Sequence, residues 1–313
     1  MKIGSTFPQT TAGTDPLFIR DYAQAIEGLG YDYLLAYEHV VGAHRSRFDD
    51  PPFPFRPGHS GVTYTHETPW HEPLTLYAHL MAVTSRLEFV TSVLILPQRQ
   101  TVLVAKQVAE LQVLSGNRLR LAVGIGWNFT EYESLGVDWR TRARRIEEQI
   151  QVLRLLWGQD LVDFEGEFHH LDRVGINPRP ARMPEIWYAS SGRDVVLDRV
   201  ARLCDGWMPL LIPPEEPKEA IDRLHAHLRD SGRDIASFGI DARPTMPRVG
   251  GPKLIIGEPP HRLSGPERFV DSARQWKALG ATHFLLGPGT GDPSAVLKNA
   301  EKLRDIYRDE IGG

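Results

Sequence analysis

One cysteine in 313 residues, Cys204, leaves no internal disulfide to be made, so packing alone must hold the fold. That scarcity is in keeping with a reducing compartment. Within "VARLCDG" the cysteine lies beside apolar positions and reads as a small core residue rather than a nucleophile. Long apolar runs are also missing. The longest, "VTSVLILP", is too short to cross a bilayer, and "MKIGSTFPQT" at the start carries no charged-then-apolar signal. Both absences point to a cytoplasmic protein. There is no excess of positive charge either: the net charge of −4 argues against a nucleic-acid partner. No Walker loop occurs, and "GIGW" (124–127) lacks the third glycine of a dinucleotide fingerprint. The 12 histidines match no standard zinc spacing and include no His-x-His at the end of the first strand. A metal-dependent hydrolase is therefore disfavoured, and no metal site is assigned.

What is present is alternation. Short apolar runs at 2–8, 31–40, 87–97, 119–125, 185–192, 205–212, 238–244 and 283–289 read as strands. Helices follow them: from Asp15-Pro16 with Ile19, Tyr22 and Ile26 inward, then 72–86, 101–116, 138–157, one carrying Val196, Val200 and Leu203, 215–231, 266–280, and one capped by Asp292. The Gly- and Pro-rich stretch 158–184 reads as a small hairpin and a crossing loop. Eight βα units in about 300 residues point to a closed (β/α)8 TIM barrel of α/β class; a doubly wound open sheet is the alternative. No composition break divides residues 1–313, so one domain is expected, with insertions after strands two, four and seven. The insertion 42–70 holds Phe48, Phe53, Phe55, Tyr64 and Trp70 between prolines and reads as a lid, or as a loop packed on itself or on a partner subunit; 245–264 is a second insertion.

Barrel chemistry stands at the C-terminal strand ends. These read Thr6-Phe7, Glu38-His39, Ser92-Val93, Gly124-Ile125-Gly126-Trp127-Asn128, Ser190-Ser191-Gly192-Arg193, Met208-Pro209, Arg243 and Gly287-Pro288-Gly289. Glu38-His39 is the acid–base candidate, because an imidazole gives or takes a proton near neutral pH; a structural histidine under the loop fits the position equally. "ASSGRDVV" (189–196) joins a strand, two hydroxyls, a glycine and a helix start, an arrangement that suits a phosphate, as does its rival "GPGTGDPS" (287–294). Each is also compatible with a plain capped junction. The fourth strand ends on bare backbone and then displays Trp127, Asn128, Glu131 and Tyr132, an ending that suits a large flat ligand.

Taken in order, "YEHV", "TSVLILP", the Gly-Ile-Gly-Trp-Asn…Glu-Tyr…Leu-Gly stretch, the hairpin "FEGEFHHLD" and "ASSGRDVVLDRVARLCDGWMP" resemble the luciferase-like monooxygenase superfamily, and within it the deazaflavin (coenzyme F-420)-dependent oxidoreductases. The resemblance covers nearly the whole chain. It implies a bacterial luciferase-like barrel, commonly a homodimer, that binds an isoalloxazine-shaped cofactor: coenzyme F-420 or, alternatively, FMN. It implies a non-proline cis peptide at Ser92-Val93, whose bulge backs the central ring. Gly124 and Gly126 would let the ring approach the backbone. Trp127, Asn128 and Tyr132 would wall its tail, and Ser190, Ser191, Gly192 and Arg193 would hold its phosphate. His39 would be the proton donor or acceptor. The family often has Asp-His where this chain has Glu38-His39, so orientation of His39 by Glu38 is an expectation of its own. The implied activity is hydride transfer with a small organic substrate. The alternatives are an FMN-dependent monooxygenase fed by a separate flavin reductase and a non-catalytic flavin-binding barrel.

Overall fold

The computed structural model describes residues 1–50, 52, 64–210, 216–244, 265–287 and 292–311. Its elements run β1 (Lys2–Thr6), α1 (Pro16–Gly28), β2 (Tyr33–Ala36), α2 (Pro73–Ala82), β3 (Glu88–Thr91), β4 (Leu94–Ile95), α3 (Thr101–Ser115), β5 (Leu119–Gly124), α4 (Phe129–Ser134), α5 (Arg142–Gly158), β6 (Val162–Glu165), β7 (His170–Val174), β8 (Ile186–Ser190), α6 (Asp194–Leu203), β9 (Gly206–Pro209), α7 (Pro217–Asp230), β10 (Gly239–Ala242), α8 (Gly265–Ala278), β11 (His283–Leu286) and α9 (Pro293–Glu310). Asp15, Glu72 and Asp292 each accept a first-turn backbone N–H ahead of a proline, which starts α1, α2 and α9 where acid-then-proline predicts.

The parallel strands pair in the order β3-β2-β1-β11-β10-β9-β8-β5, and β3 pairs with β5, closing the ring. That closure rules out the open doubly wound sheet and gives the expected barrel. The second insertion, 245–264, lies outside the described residues, as do 51 and 53–63 of the proposed lid. The hairpin in 158–184 is present as antiparallel β6 and β7. Two features interrupt the simple alternation of strand and helix. The third strand is broken into β3 and β4 by a cis Ser92–Val93 bond, where the resemblance places one; a second cis bond precedes Pro178. The short helix α4, capped by Asn128, comes between β5 and the long helix α5.

Alternation along the strands sends one set of side chains to the helices and the other into the lumen. Tyr33, Leu35, Val90, Ala122, Trp187, Ala189, Met208 and Leu285 form the lumen cluster. Space for the Trp187 indole exists because β9 and β10 begin with glycine: a Cβ at Gly206 or Gly239 would lie 2.3 or 2.2 Å from it. Towards the N-terminal end of the lumen, Arg120 stacks between Tyr33 and Trp187, its guanidinium carbon 4.7 and 4.3 Å from their ring centres. Its Nη2 is 3.1 Å from Asp241 Oδ2, close enough for charge pairing but not aligned as a hydrogen bond. Tyr33 Oη donates to Asp241 Oδ1 at 2.6 Å. Cys204 is fully buried in the outer core, and burial pushes its thiol up to about 12, an inert side chain as expected. Among the described residues no helix is long and apolar enough to cross a membrane.

Candidate active site

β2 ends at Ala36, and Glu38 and His39 follow at the mouth, both buried. Their side chains part company. Glu38 accepts from Ile95 N at 2.5 Å and from Arg99 Nε at 2.7 Å, with Arg99 Nη2 on the same oxygen. Arg99 in turn reaches Glu72 at 2.7 Å. The expectation that Glu38 orients His39 is therefore corrected: its carboxylate is taken up in joining strand three to the start of α2. Burial pushes the Glu38 carboxyl up to about 6, against the pull of Arg99 and the Ile95 amide.

The carboxylate that meets His39 belongs to Glu131, in α4. It is fully buried, and its Oε1 accepts from Val40 N at 2.6 Å while its Oε2 faces His39 Nδ1 at 3.4 Å. A carboxylate can only accept, so in this contact Nδ1 is the donor. Aromatic rings surround the imidazole. Tyr64 lies 3.9 Å away between ring centres, Trp70 at 4.7 Å and Trp127 at 5.8 Å. Tyr64 and Trp70 come from the described end of the 42–70 segment, which packs these two rings on the histidine. Among the described residues no three His, Cys, Asp or Glu side chains gather as a metal-binding group.

The remaining predicted residues separate into two sets. Ser92, Val93, Gly124, Gly126 and Trp127 stand at the C-terminal ends of the third and fourth barrel strands, where Trp127 packs on His39. The two glycines have a reason in the protein itself: a Cβ on Gly124 would meet Val93 Cγ2 at 2.8 Å, and one on Gly126, at φ +63°, would meet Ile95 Cγ2 at 2.8 Å. Asn128 and Tyr132 are buried as braces instead of lining a wall. Asn128 caps α4 and donates to Tyr64 Oη at 2.5 Å, and Tyr132 Oη donates to the Ile125 carbonyl at 2.7 Å. At the proposed phosphate site, Ser190 faces the helix layer, where its Oγ accepts from Trp207 Nε1 at 3.1 Å. Ser191, Gly192 and Arg193 lead into α6, whose N-terminus no side chain caps. Arg193 is exposed, and the Gly192 carbonyl accepts from Arg223 at 2.9 Å.

Sequence reasoning assigned no role to Arg99, Glu131 or Arg243. Arg243 follows β10 and donates from Nη2 to Ser92 Oγ at 2.6 Å. The three pairings join residues 61, 92 and 151 positions apart, beyond the reach of any local motif.

A family model described as luciferase-like monooxygenase matches residues 3–247. An uncharacterised protein of Mycobacterium tuberculosis is 31% identical over 270 residues, covering 83% of this chain and 92% of that one. An FMNH(2)-dependent dimethylsulfone monooxygenase of Pseudomonas fluorescens is 29% identical over 226 residues, covering 71% of this chain and 56% of that protein. Among solved structures, an F420-dependent secondary alcohol dehydrogenase in complex with an F420–acetone adduct superposes with a TM-score of 0.72 at 17% identity, covering 99% of this chain and 98% of that chain.

Proposed function

Because the chain belongs to the luciferase-like monooxygenase family, a family of oxidoreductases, we propose that its barrel mouth holds a flavin-shaped ring, coenzyme F-420, and passes a hydride between it and a small organic substrate. The observation that carries this reading is the buried Glu131–His39 contact at the mouth, with the Trp127 ring packed on the histidine and a cis peptide bond at Ser92–Val93. The residues present fit such a group. An α6 N-terminus without a side-chain cap leaves first-turn N–H groups for a phosphate, with Ser191 and Arg193 adjacent. When bound, the ring supplies the two-electron chemistry that no side chain can.

The protein's own part is acid–base and positional. His39 Nε2 takes or gives the proton that accompanies the hydride, and Glu131 holds the ring in position through Nδ1. Tyr64, Trp70 and Trp127 screen the imidazole from water. A homodimer, implied by the resemblance, belongs to the same proposal.

A second reading, with FMN in the same place and a separate flavin reductase as supplier, is favoured by the 29% identity to the dimethylsulfone monooxygenase. Titration of the purified protein with oxidised and reduced F-420 and FMN, followed by absorbance and fluorescence, separates the two. Micromolar binding of F-420 supports a dehydrogenase or reductase, and micromolar binding of reduced FMN alone supports a monooxygenase. Binding of neither overturns both.

A further inference from the structure

Going round the barrel, β3 and β10 are four places apart in a ring of eight, so they stand opposite one another. The Arg243–Ser92 hydrogen bond joins their C-terminal ends. A guanidinium is thus laid across the mouth, half-buried, with one N–H fixed by a serine that is itself 7% exposed. Arg243 continues the inward-facing series Gly239, Asp241, Arg243, so it stands directly above the lumen charges.

Those charges do not balance. Arg120 and Arg243 both act on a single carboxyl, Asp241, which is fully buried. Burial raises the Asp241 carboxyl above its ordinary range, with the two guanidiniums and Tyr33 pulling against it, so among the described residues at most one negative charge meets two fixed positive ones. The lumen histidine, His283, adds no compensation, since only an anion would. Among the described residues, the other acids of the mouth are committed elsewhere: Glu38 to Arg99 and the Ile95 amide, Glu131 to the Val40 amide and His39. Arg243 Nε is buried with no hydrogen-bond partner, and Ser92 is the hydrogen-bond partner the guanidinium has among the described residues. A buried donor without an acceptor is costly unless a ligand supplies one.

We propose that Arg243, anchored by Ser92, is the anion-recognition residue of the mouth, and that the substrate carries a carboxylate or a similarly delocalised oxyanion. A planar guanidinium forks onto such a group through two parallel N–H donors, and in a partly buried site that bond discriminates strongly against a neutral analogue. The assignment deepens the proposed function, because it names the substrate class of the same mouth and rests on that reading for the word substrate. The negative charge it calls for has two possible sources, the substrate and the cofactor, and the experiment separates them.

The probe is benzoate, with benzamide as the neutral control, titrated by calorimetry into the full chain and into Arg243→Gln. Ring binding is followed in parallel by fluorescence. The expected result is benzoate binding that falls about tenfold or more in Arg243→Gln. Benzamide should not distinguish the two proteins, ring binding should be unchanged, and benzoate should still bind when the ring is present. Equal benzoate binding in both proteins overturns the proposal. So does weakened ring binding in the variant together with exclusion of benzoate by the bound ring, since the cation then serves the cofactor. If no ring binds but benzoate binding still depends on Arg243, the redox reading fails and the anion site stands. Should Arg243→Gln not fold, Arg243→Lys carries the test: loss of the planar fork should weaken benzoate several-fold, and unchanged affinity overturns the assignment.

Discussion

Two buried charge clusters occupy the same barrel, and they are built on different terms. The lower one is sealed. Arg120 lies flat between Tyr33 and Trp187, Asp241 is fully buried beside it, and His283 packs 5.1 Å from Trp187. Burial and the nearby Arg120 charge push the His283 pKa down to about 2, so the ring stays neutral. The upper cluster, at the mouth, is open. Arg243 is half-buried with an unmatched Nε, and His39 rests against Glu131 under rings contributed by loop segments. Unmatched donors occur in both, since Arg120 Nε and Nη1 also lack partners; what differs is cover, because Arg120 lies between two rings whereas Arg243 is half-buried at the mouth and within reach of something outside the chain. Position explains the difference. The C-terminal strand ends are followed by loops that can be built for chemistry, while the N-terminal half of the lumen must be filled by its own side chains.

The comparison makes ranked predictions. The largest effect should come from the lower cluster. Arg120→Met strands Asp241 and is expected to cost about 3–5 kcal/mol of stability, read by denaturant unfolding, with the activity of the folded fraction unchanged. At the mouth the effects should reverse: His39→Ala is expected to lower turnover by about a hundredfold, equivalent to about 2.7 kcal/mol, while ring binding and melting temperature hold. A His39→Ala protein that loses the fold in place of the turnover would erase the distinction between the two clusters.

Acid should act through His283. Folding depresses its pKa from 6.5 to about 2, so the unfolded chain takes up the proton first as pH falls. Its contribution is complete above about pH 6.5 and declines below it, by about 2 kcal/mol between pH 7 and pH 5. Thermal melts of His283→Asn should lack that part of the slope. Glu38 acts in the opposite sense: its raised pKa of about 6 gives stability that is complete below 4.5 and is lost as pH rises through 6, so the comparison is best made in a Glu38→Gln background. The smallest effect is expected from Glu131→Gln. Turnover should fall about tenfold, because an amide fixes the imidazole's orientation and tautomer less firmly than a carboxylate that can only accept.

Much of this was legible in the sequence. Apolar runs between acid-capped helices gave the barrel, and strand ends gave the region of the mouth. His39 could be picked out because it follows a buried strand directly. The error about Glu38 has a physical source: neighbouring residues on an extended chain point to opposite sides, so the acid beside a histidine is poorly placed to touch it. Ser190 was misplaced by the same alternation, since Trp187 and Ala189 face the lumen and Ser190 must turn outward. Glu131 was harder to see. Asn128 and Glu131 have the spacing of a helix capping box, which offers a local explanation for the acid, yet its carboxylate reaches the Val40 amide and His39 instead. Arg243 could be placed at a strand end, but nothing local pairs it with Ser92, which lies across the barrel.

The account stands most directly on where the ring goes. A crystal structure of the protein soaked with whichever ring the titration selects should show it in the barrel mouth, against the Ser92–Val93 and Gly124–Gly126 backbone and within contact of His39. A ring bound anywhere else, with Tyr64 still stacked on His39 and the mouth closed, would contradict it.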